Sequence, residues 1–201
     1  MAAALGRPSA LGELLAIEQD DPQAPLYSAW LEQQGLGEAM LPELLRIHRS
    51  HEPTLALAPD VRATLRRLRM RFRLGLVSDG RLEQQRAKAE ALGLAALLDA
   101  LVFSDELGRE HWKPDPAPYW KALERLGVSP TEAVYVGDNP AKDFLGARRA
   151  GMRSVRLRRP DGLHAAAEPQ SAEAAPDAEV ATFSELEALI GSPQGSGFAT
   201  L

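Results

Sequence analysis

YVGDNPAKDFLGARRAG, Tyr135 to Gly151, holds a short apolar run, an acidic turn and an alanine-rich helical pattern in one stretch. The run Ala133 to Val136 predicts a buried strand. Gly137-Asp138-Asn139-Pro140 predicts a tight turn at its carboxyl end. The next helix starts near Asp143 and stops at Gly151. In an open parallel sheet, ligands bind beyond the carboxyl ends of the strands, which is where Asp138 and Asp143 fall. Two carboxylates on one short loop suit a hard cation such as Mg2+, which keeps several waters and binds one or two carboxylates together with phosphate oxygens. The plainer alternative stays open: Asp138 shapes the turn and Asp143 favours a helix start.

Working outward, helical and short apolar segments alternate from about residue 59 onward. VRATLRRLRMRF predicts a helix with Leu65, Leu68 and Phe72 on one face, and Leu74 to Val77 a buried strand ending in Ser78-Asp79-Gly80. RLEQQRAKAEAL predicts a helix closed by Gly93, and Leu101 to Phe103 a further strand. After the loop SDELGREHWKPDP, a helix over 117–126 stops at Gly127. Ser154 to Leu157 and Glu179 to Ala181 predict two more strands, with FSELEALIG as the last helix. Residues 160–178, rich in Ala, Pro and acids, read as an exposed connection. This alternation predicts an α/β fold: a Rossmann-like parallel sheet with helices on both faces.

The first fifty residues read differently. SALGELLAIEQ, LYSAWLEQQ and LPELLRIHRSH are three helical patterns, the first broken by Asp20-Asp21-Pro22, and no strand precedes residue 70. The chain therefore divides into a helical segment over 1–52, opened by a loose tail at 1–8, an α/β core over 53–191, and a flexible tail over 192–201.

Composition narrows the function classes. The 201 residues are 45% hydrophobic and 25% charged, ordinary values for a globular protein, and the net charge of -5 argues against a nucleic-acid partner. The arginines of 62–73 and 148–159 alternate with Leu, Val and Met, as solvated helix and strand faces do. With no cysteine, disulfides and thiolate metal sites are excluded. No apolar run approaches the ~18 residues of a membrane span, and a cytoplasmic protein without a membrane partner is the expectation. Oligomeric state is not assigned.

Two other positions could carry chemistry. Ser78 ends a strand and opens a turn into a helix, so its hydroxyl, with the amides of Asp79 and Gly80, could hold a phosphoryl oxygen. It could equally cap the helix. Lys113 lies in HWKPDPAPYW, where Pro114 biases it toward an extended backbone and Pro116 and Pro118 stiffen the start of the next helix. A fixed ammonium there could neutralise a carboxylate and a bound phosphate, or be a surface lysine in a proline-rich turn. His111 reads as a loop side chain, and Trp112, Tyr119 and Trp120 as packing residues.

In this order, LGLVSDG, WKPDP and YVGDNPAKD resemble the second, third and fourth motifs of the haloacid dehalogenase superfamily, over roughly residues 40–190. Its members are mostly Mg2+-dependent phosphohydrolases on a Rossmann-like sheet. The resemblance implies that Ser78, with Asp79 and Gly80, binds the transferring phosphoryl group of a small phosphorylated metabolite. It implies that Lys113 steadies the nucleophile and the phosphate, that Asp138 and Asp143 bind or orient Mg2+, and that residues 9–51 form a small helical cap.

One part of the family pattern is not found. Members open with an apolar strand ending in Asp-x-Asp, whose first Asp is the nucleophile and whose second is the general acid/base. The nearest acidic pair, Asp20-Asp21, comes after a helical pattern and precedes Pro22. In the family that strand sits mid-sheet, between those ending at Ser78 and Gly137. Its absence should leave two inner edges unpaired, or force them together. The expectation is a hydrolase domain read from a truncated or misplaced start, inactive or nearly so as written. The alternative is a non-catalytic phosphate- or partner-binding module. A nucleotide-binding sheet of other lineage is disfavoured because no Gly-rich phosphate loop occurs.

Overall fold

The computed structural model describes residues 9–20, 25–50 and 53–191. The expected tails at 1–8 and 192–201, and the break at Asp21-Pro22, lie outside the described residues. The chain divides into two compact units, Met1–Pro53 and Thr54–Leu201.

The first unit is helical: α1 (Ala10–Asp20), α2 (Leu26–Gln33), a 3-10 turn (Glu38–Met40) and α3 (Leu41–Ser50). Ala10, Leu14 and Ile17 of α1, Trp30 and Leu31 of α2 and Leu44 of α3 form one buried cluster. Their spacing of three and four along α1 is the helical stripe read from the sequence. The Trp30 indole Nε1–H donates to Glu13 at 2.8 Å, so the buried ring keeps a polar partner. Gly35, at φ +64°, ends α2 as expected.

The second unit alternates helix and strand: α4 (Pro59–Arg69), β1 (Gly75–Ser78), α5 (Leu82–Ala91), β2 (Ala100–Phe103), α6 (Ala117–Leu126), β3 (Val134–Gly137), α7 (Asp143–Arg149), β4 (Arg153–Leu157), β5 (Ala178–Val180) and α8 (Phe183–Gly191). All strand pairing is parallel. β1 pairs β2 with Gly75 opposite Ala100, β3 pairs β4 with Val134 opposite Arg153, and β4 pairs β5 with Val155 opposite Ala178.

Alternation along each strand sends neighbours to opposite faces. Val77 and Val102 pack with Ala122 of α6, whereas Leu76 and Phe103 pack with Ala89 of α5. In the other half Tyr135 faces Tyr119 and Ala147, while Val134 joins Leu186 and Ile190 of α8. Helices therefore cover both faces, as the alternation required.

The sheet is in two pieces, β1-β2 and β3-β4-β5, and among the described residues no ladder joins β1 to β3. Of the two outcomes expected for a missing central strand, the unpaired one is found. A cavity of about 750 Å³ lies between the two edges, covered by α6 on one side and by α4 and α8 on the other.

Two expectations need correction. α4 ends at Arg69, so Phe72 lies beyond the helix and is half-exposed. Trp120 is 52% exposed rather than packed, because the buried stripe of α6 runs through Tyr119, Ala122 and Leu123. The connection 160–178 is largely exposed, as read, and is also tied down: the buried Arg156 donates through Nη2 to the carbonyls of His164 (2.8 Å) and Ala167 (2.7 Å), and Ala174 is buried.

Candidate functional site

The carboxyl ends of β1 and β3 meet through a chain of polar contacts. After Ser78, the last residue of β1, the Asp79 carboxylate turns inward. Its Oδ1 accepts from the Ser104 hydroxyl at 2.7 Å and from the backbone N–H of Lys113 at 3.2 Å. This ties the β1 turn to the segment leading into α6. Gly80 sits at φ +125°, and a Cβ there would come within 2.4 Å of Gln85 Nε2, so the turn needs glycine.

Lys113 precedes a cis bond to Pro114, and Asp115 caps α6 by accepting from Ala117 N–H at 2.9 Å. The Lys113 ammonium points at α7. Lys113 Nζ donates to Asp143 Oδ1 at 2.7 Å and to the Tyr135 hydroxyl at 3.2 Å, with both charged side chains under a tenth exposed. Asp143 Oδ2 accepts from the amides of Asp138 (3.1 Å) and Asn139 (2.9 Å), which closes the turn after β3. Gly137 permits that approach: a Cβ would lie 2.6 Å from Asp143 Oδ2 and 2.8 Å from its Cγ. Gly137→Ala is expected to destabilise the protein by about 1–3 kcal/mol, the usual cost of overpacking, read as a lower urea midpoint.

Two tyrosines complete the buried cluster. The Tyr119 hydroxyl donates to the Asp143 carbonyl at 2.6 Å, and its ring meets Tyr135 edge-on, centroids 4.8 Å apart. Burial pulls the Lys113 ammonium down, but the Asp143 charge and hydrogen bond outweigh it and hold Lys113 above its ordinary value. Burial pushes Asp143 up, yet Lys113 and the two amides hold it below the usual carboxylate range. Burial raises both phenols, so they stay neutral.

Among the residues singled out in the sequence, Asp79, Lys113, Asp138 and Asp143 are brought together directly. Ser78 adjoins them, but its hydroxyl donates to Gln85 Oε1 at 3.0 Å on α5. Asp138 is exposed, and its carboxylate takes no hydrogen bond from the described residues. Asn139 Nδ2 donates to His164 Nε2 at 3.2 Å, which brings the Arg156-held connection over the turn. Lys142 lies 3.5 Å from Asp79 Oδ2. The parts played by the Asp79 carboxylate, Tyr119, Tyr135 and His164 were not read from the sequence. The tyrosine spacing within helix and strand patterns signals only packing.

Mg2+ calls for several oxygen ligands with near-octahedral freedom. Here both Asp143 oxygens are committed, to an ammonium and to two amides, and Asp138 alone is open. Among the described residues no group of three His, Cys, Asp or Glu side chains is placed to hold a metal. The residues present do not by themselves fit Mg2+.

Comparison with known proteins assigns this corner a lineage. The chain is 45% identical over 129 residues to a glyceraldehyde 3-phosphate phosphatase of Methanopyrus kandleri, covering 64% of this chain and 54% of that protein. It is 40% identical over 131 residues to a phosphoserine phosphatase of Thermus thermophilus, covering 65% and 49% respectively. The chain thus spans about half the length of these curated relatives. Among solved structures, a 2-haloacid dehalogenase from Pseudomonas syringae superposes with a TM-score of 0.60 at 26% identity, covering 92% of this chain and 80% of that one. A Bacillus subtilis HAD-hydrolase bound to magnesium reaches 0.66 at 19% identity, over 92% and 81%, a likeness of fold. The model of the haloacid dehalogenase-like hydrolases matches residues 17–157, and the chain belongs to that family.

Proposed function

We propose that the corner built from Ser78, Asp79, Lys113, Asp138 and Asp143 is the phosphate-binding part of a phosphohydrolase acting on a small phosphate monoester. The observation that carries this reading is the Lys113 ammonium, fixed at the strands' carboxyl ends by Asp143 and kept charged by it. A cation locked in a desolvated site stabilises phosphoryl charge with little reorganisation. The Ser78 hydroxyl, released from Gln85, and the amides after it are the remaining donors. The relatives named as phosphatases of glyceraldehyde 3-phosphate and phosphoserine agree with a small phosphorylated metabolite as substrate. Mg2+ would supply charge neutralisation on the phosphoryl oxygens. Asp138 and Asp143 are the carboxylates this chain offers it, and a further carboxylate is needed.

The same shortfall governs turnover. The nucleophilic carboxylate that the family places at the end of an opening strand is not among the residues of this corner. The 201-residue chain is therefore expected to hydrolyse an aryl phosphate with Mg2+ no faster than the buffer blank. Mg2+-dependent turnover by this chain, abolished by Asp138→Asn, would overturn that reading.

A second reading, a non-catalytic phosphate- or partner-binding module, is favoured by one observation: both Asp143 oxygens are already committed. Assaying the product of the same reading frame extended upstream separates the two. The hydrolase reading requires turnover once the preceding residues are included, and the module reading requires orthophosphate binding without it.

A further inference from the structure

We infer that His164 is a positioning residue for the phosphate corner: from the connection after β4 it accepts the Asn139 side-chain amide, and so fixes the turn whose backbone N–H groups hold Asp143. Asn139 is the hub of that turn. Its backbone N–H donates to Asp143 Oδ2 at 2.9 Å, its carbonyl accepts from the Asp143 amide at 2.9 Å, and its Oδ1 accepts from Ala141 N–H at 3.0 Å. The Ala141 bond orients the side-chain amide, so the group turned toward His164 is the Nδ2 donor. His164 Nε2, 3.2 Å away, is then the acceptor, which puts the ring's proton on Nδ1.

His164 is itself held. Arg156 stands opposite Gly137 in the β3–β4 ladder, on the rung where the turn begins. Its buried side chain bonds the carbonyls of His164 and Ala167 through Nη2. Arg158 donates through Nε to the carbonyl of Ala165 at 2.7 Å. The backbone on both sides of the imidazole is therefore tied to β4. Burying a guanidinium is costly, and here the Nε–H of Arg156 finds no partner among the described residues, with Glu179 no closer than 3.4 Å to Nη1. Closing the connection needs no ring that reaches a neighbouring turn. Yet among the described residues the His164–Asn139 bond is the one hydrogen bond from 160–178 to 137–142.

Without that acceptor, the Asn139 side chain is held from within its own turn alone. The amides of Asp138 and Asn139 are then less firmly placed on Asp143 Oδ2, while Asp143 Oδ1 fixes the Lys113 ammonium at 2.7 Å. A donor fixed in advance stabilises developing charge better than one that must reorganise. His164 thus acts on phosphate through Asn139, Asp143 and Lys113. Its effect on phosphate rests on the phosphohydrolase reading, whereas its hold on the turn does not.

The test uses the 201-residue chain with His164→Leu, which keeps bulk without an acceptor, and His164→Gln, whose Oε1 can take the place of Nε2. Hydrogen exchange at the amides of Asp138 and Asn139 should quicken about three- to tenfold in the Leu variant, the range set by one neutral hydrogen bond, and return to the parent rate in the Gln variant. Exchange at 76–78 in β1 should stay the same in all three. Proton–nitrogen correlation spectra of the parent imidazole should place the ring proton of His164 on Nδ1. Orthophosphate, titrated by calorimetry, should bind more weakly to the Leu variant by a similar factor and recover with Gln. Equal exchange in the parent and the Leu variant, or a ring proton on Nε2, would overturn the inference. So would faster exchange with equal orthophosphate affinity in all three proteins, because His164 would then hold the turn without serving the site. If none of the three binds orthophosphate while exchange changes as expected, the phosphohydrolase reading falls and the hold of His164 on the turn stands.

Discussion

Lys113→Met is expected to lower the unfolding free energy by about 3–5 kcal/mol at pH 7, the cost of leaving a buried ion without its counter-ion. The Asp143 carboxylate would remain buried with two amide donors and a phenol but no cation. Against a typical net stability of ~5–15 kcal/mol, that is a large fraction. Urea unfolding followed by circular dichroism reads it as a lower midpoint with an unchanged slope. Removing the second charge should restore part of the loss. In Lys113→Met/Asp143→Asn the amide oxygen can still accept from Asp138 and Asn139, and no uncompensated charge stays inside. A double variant as unstable as the single one would mean that the ammonium's packing, and not its charge, held the corner.

The directions of the two shifts set the pH profile. Asp143 is depressed when folded, so its contribution is present above its unfolded value of ~3.9 and is lost as pH falls through the folded one. Lys113 is raised when folded, so its contribution is present below ~10.4 and is lost as pH rises through the folded value. Between about pH 5 and pH 9 the pair's contribution is flat. In Lys113→Met the dominant influence left on Asp143 is burial, which raises its folded value above the unfolded one. The native state then binds a proton that the unfolded chain does not, and the deficit should shrink as pH falls from 7 toward 4. Parallel urea midpoints for the two proteins across that range would contradict this.

The elements were legible because their signals are local. Gly35, Gly93, Gly127 and Gly151 each take a positive φ where a helix stop was read, and the 117–126 helix ends where its pattern does. The strands are displaced by about one residue from their apolar runs, since parallel pairing and not hydrophobicity fixes their ends. A gap between the strands ending at Ser78 and Gly137 was legible as a break in the family pattern, and among the described residues the sheet is in two pieces with a cavity between them. The contacts that assemble the corner were not legible. Asp79 was read for its amide, yet its carboxylate joins Ser104 and Lys113, 25 and 34 residues away. Arg156 looked like a solvated strand face and is buried against the carbonyls of the connection after β4. Nothing in a 2- or 3.6-residue period encodes either partnership. Only the packing of β4 beneath that connection makes an arginine there a clamp.

Tyr119→Ala is expected to cost about 3–5 kcal/mol, the range for deleting a buried aromatic side chain. Tyr119 is fully buried, its ring braces Tyr135, and α7 packs so closely that a Cβ on Gly146 would lie 2.5 Å from Tyr119 Cε2. Truncation would open a cavity bordered by Ala147 and Ala150, whose backbone the helix holds in place, so collapse into the space is limited. Tyr119→Phe isolates the hydroxyl. It keeps the packing and loses only the bond to the Asp143 carbonyl, about 1 kcal/mol for a neutral partner. The split between the variants therefore reports how the tyrosine supports the site: a large Ala effect with a small Phe effect means the ring positions α7, and Asp143 with it. Lys113 should register the difference too. If α7 shifts in the Ala variant, the Lys113–Asp143 contact lengthens, and the acid limb of the stability profile moves to higher pH, while the Phe variant keeps the wild-type limb. Equal losses in the two variants would instead give the hydroxyl the main role.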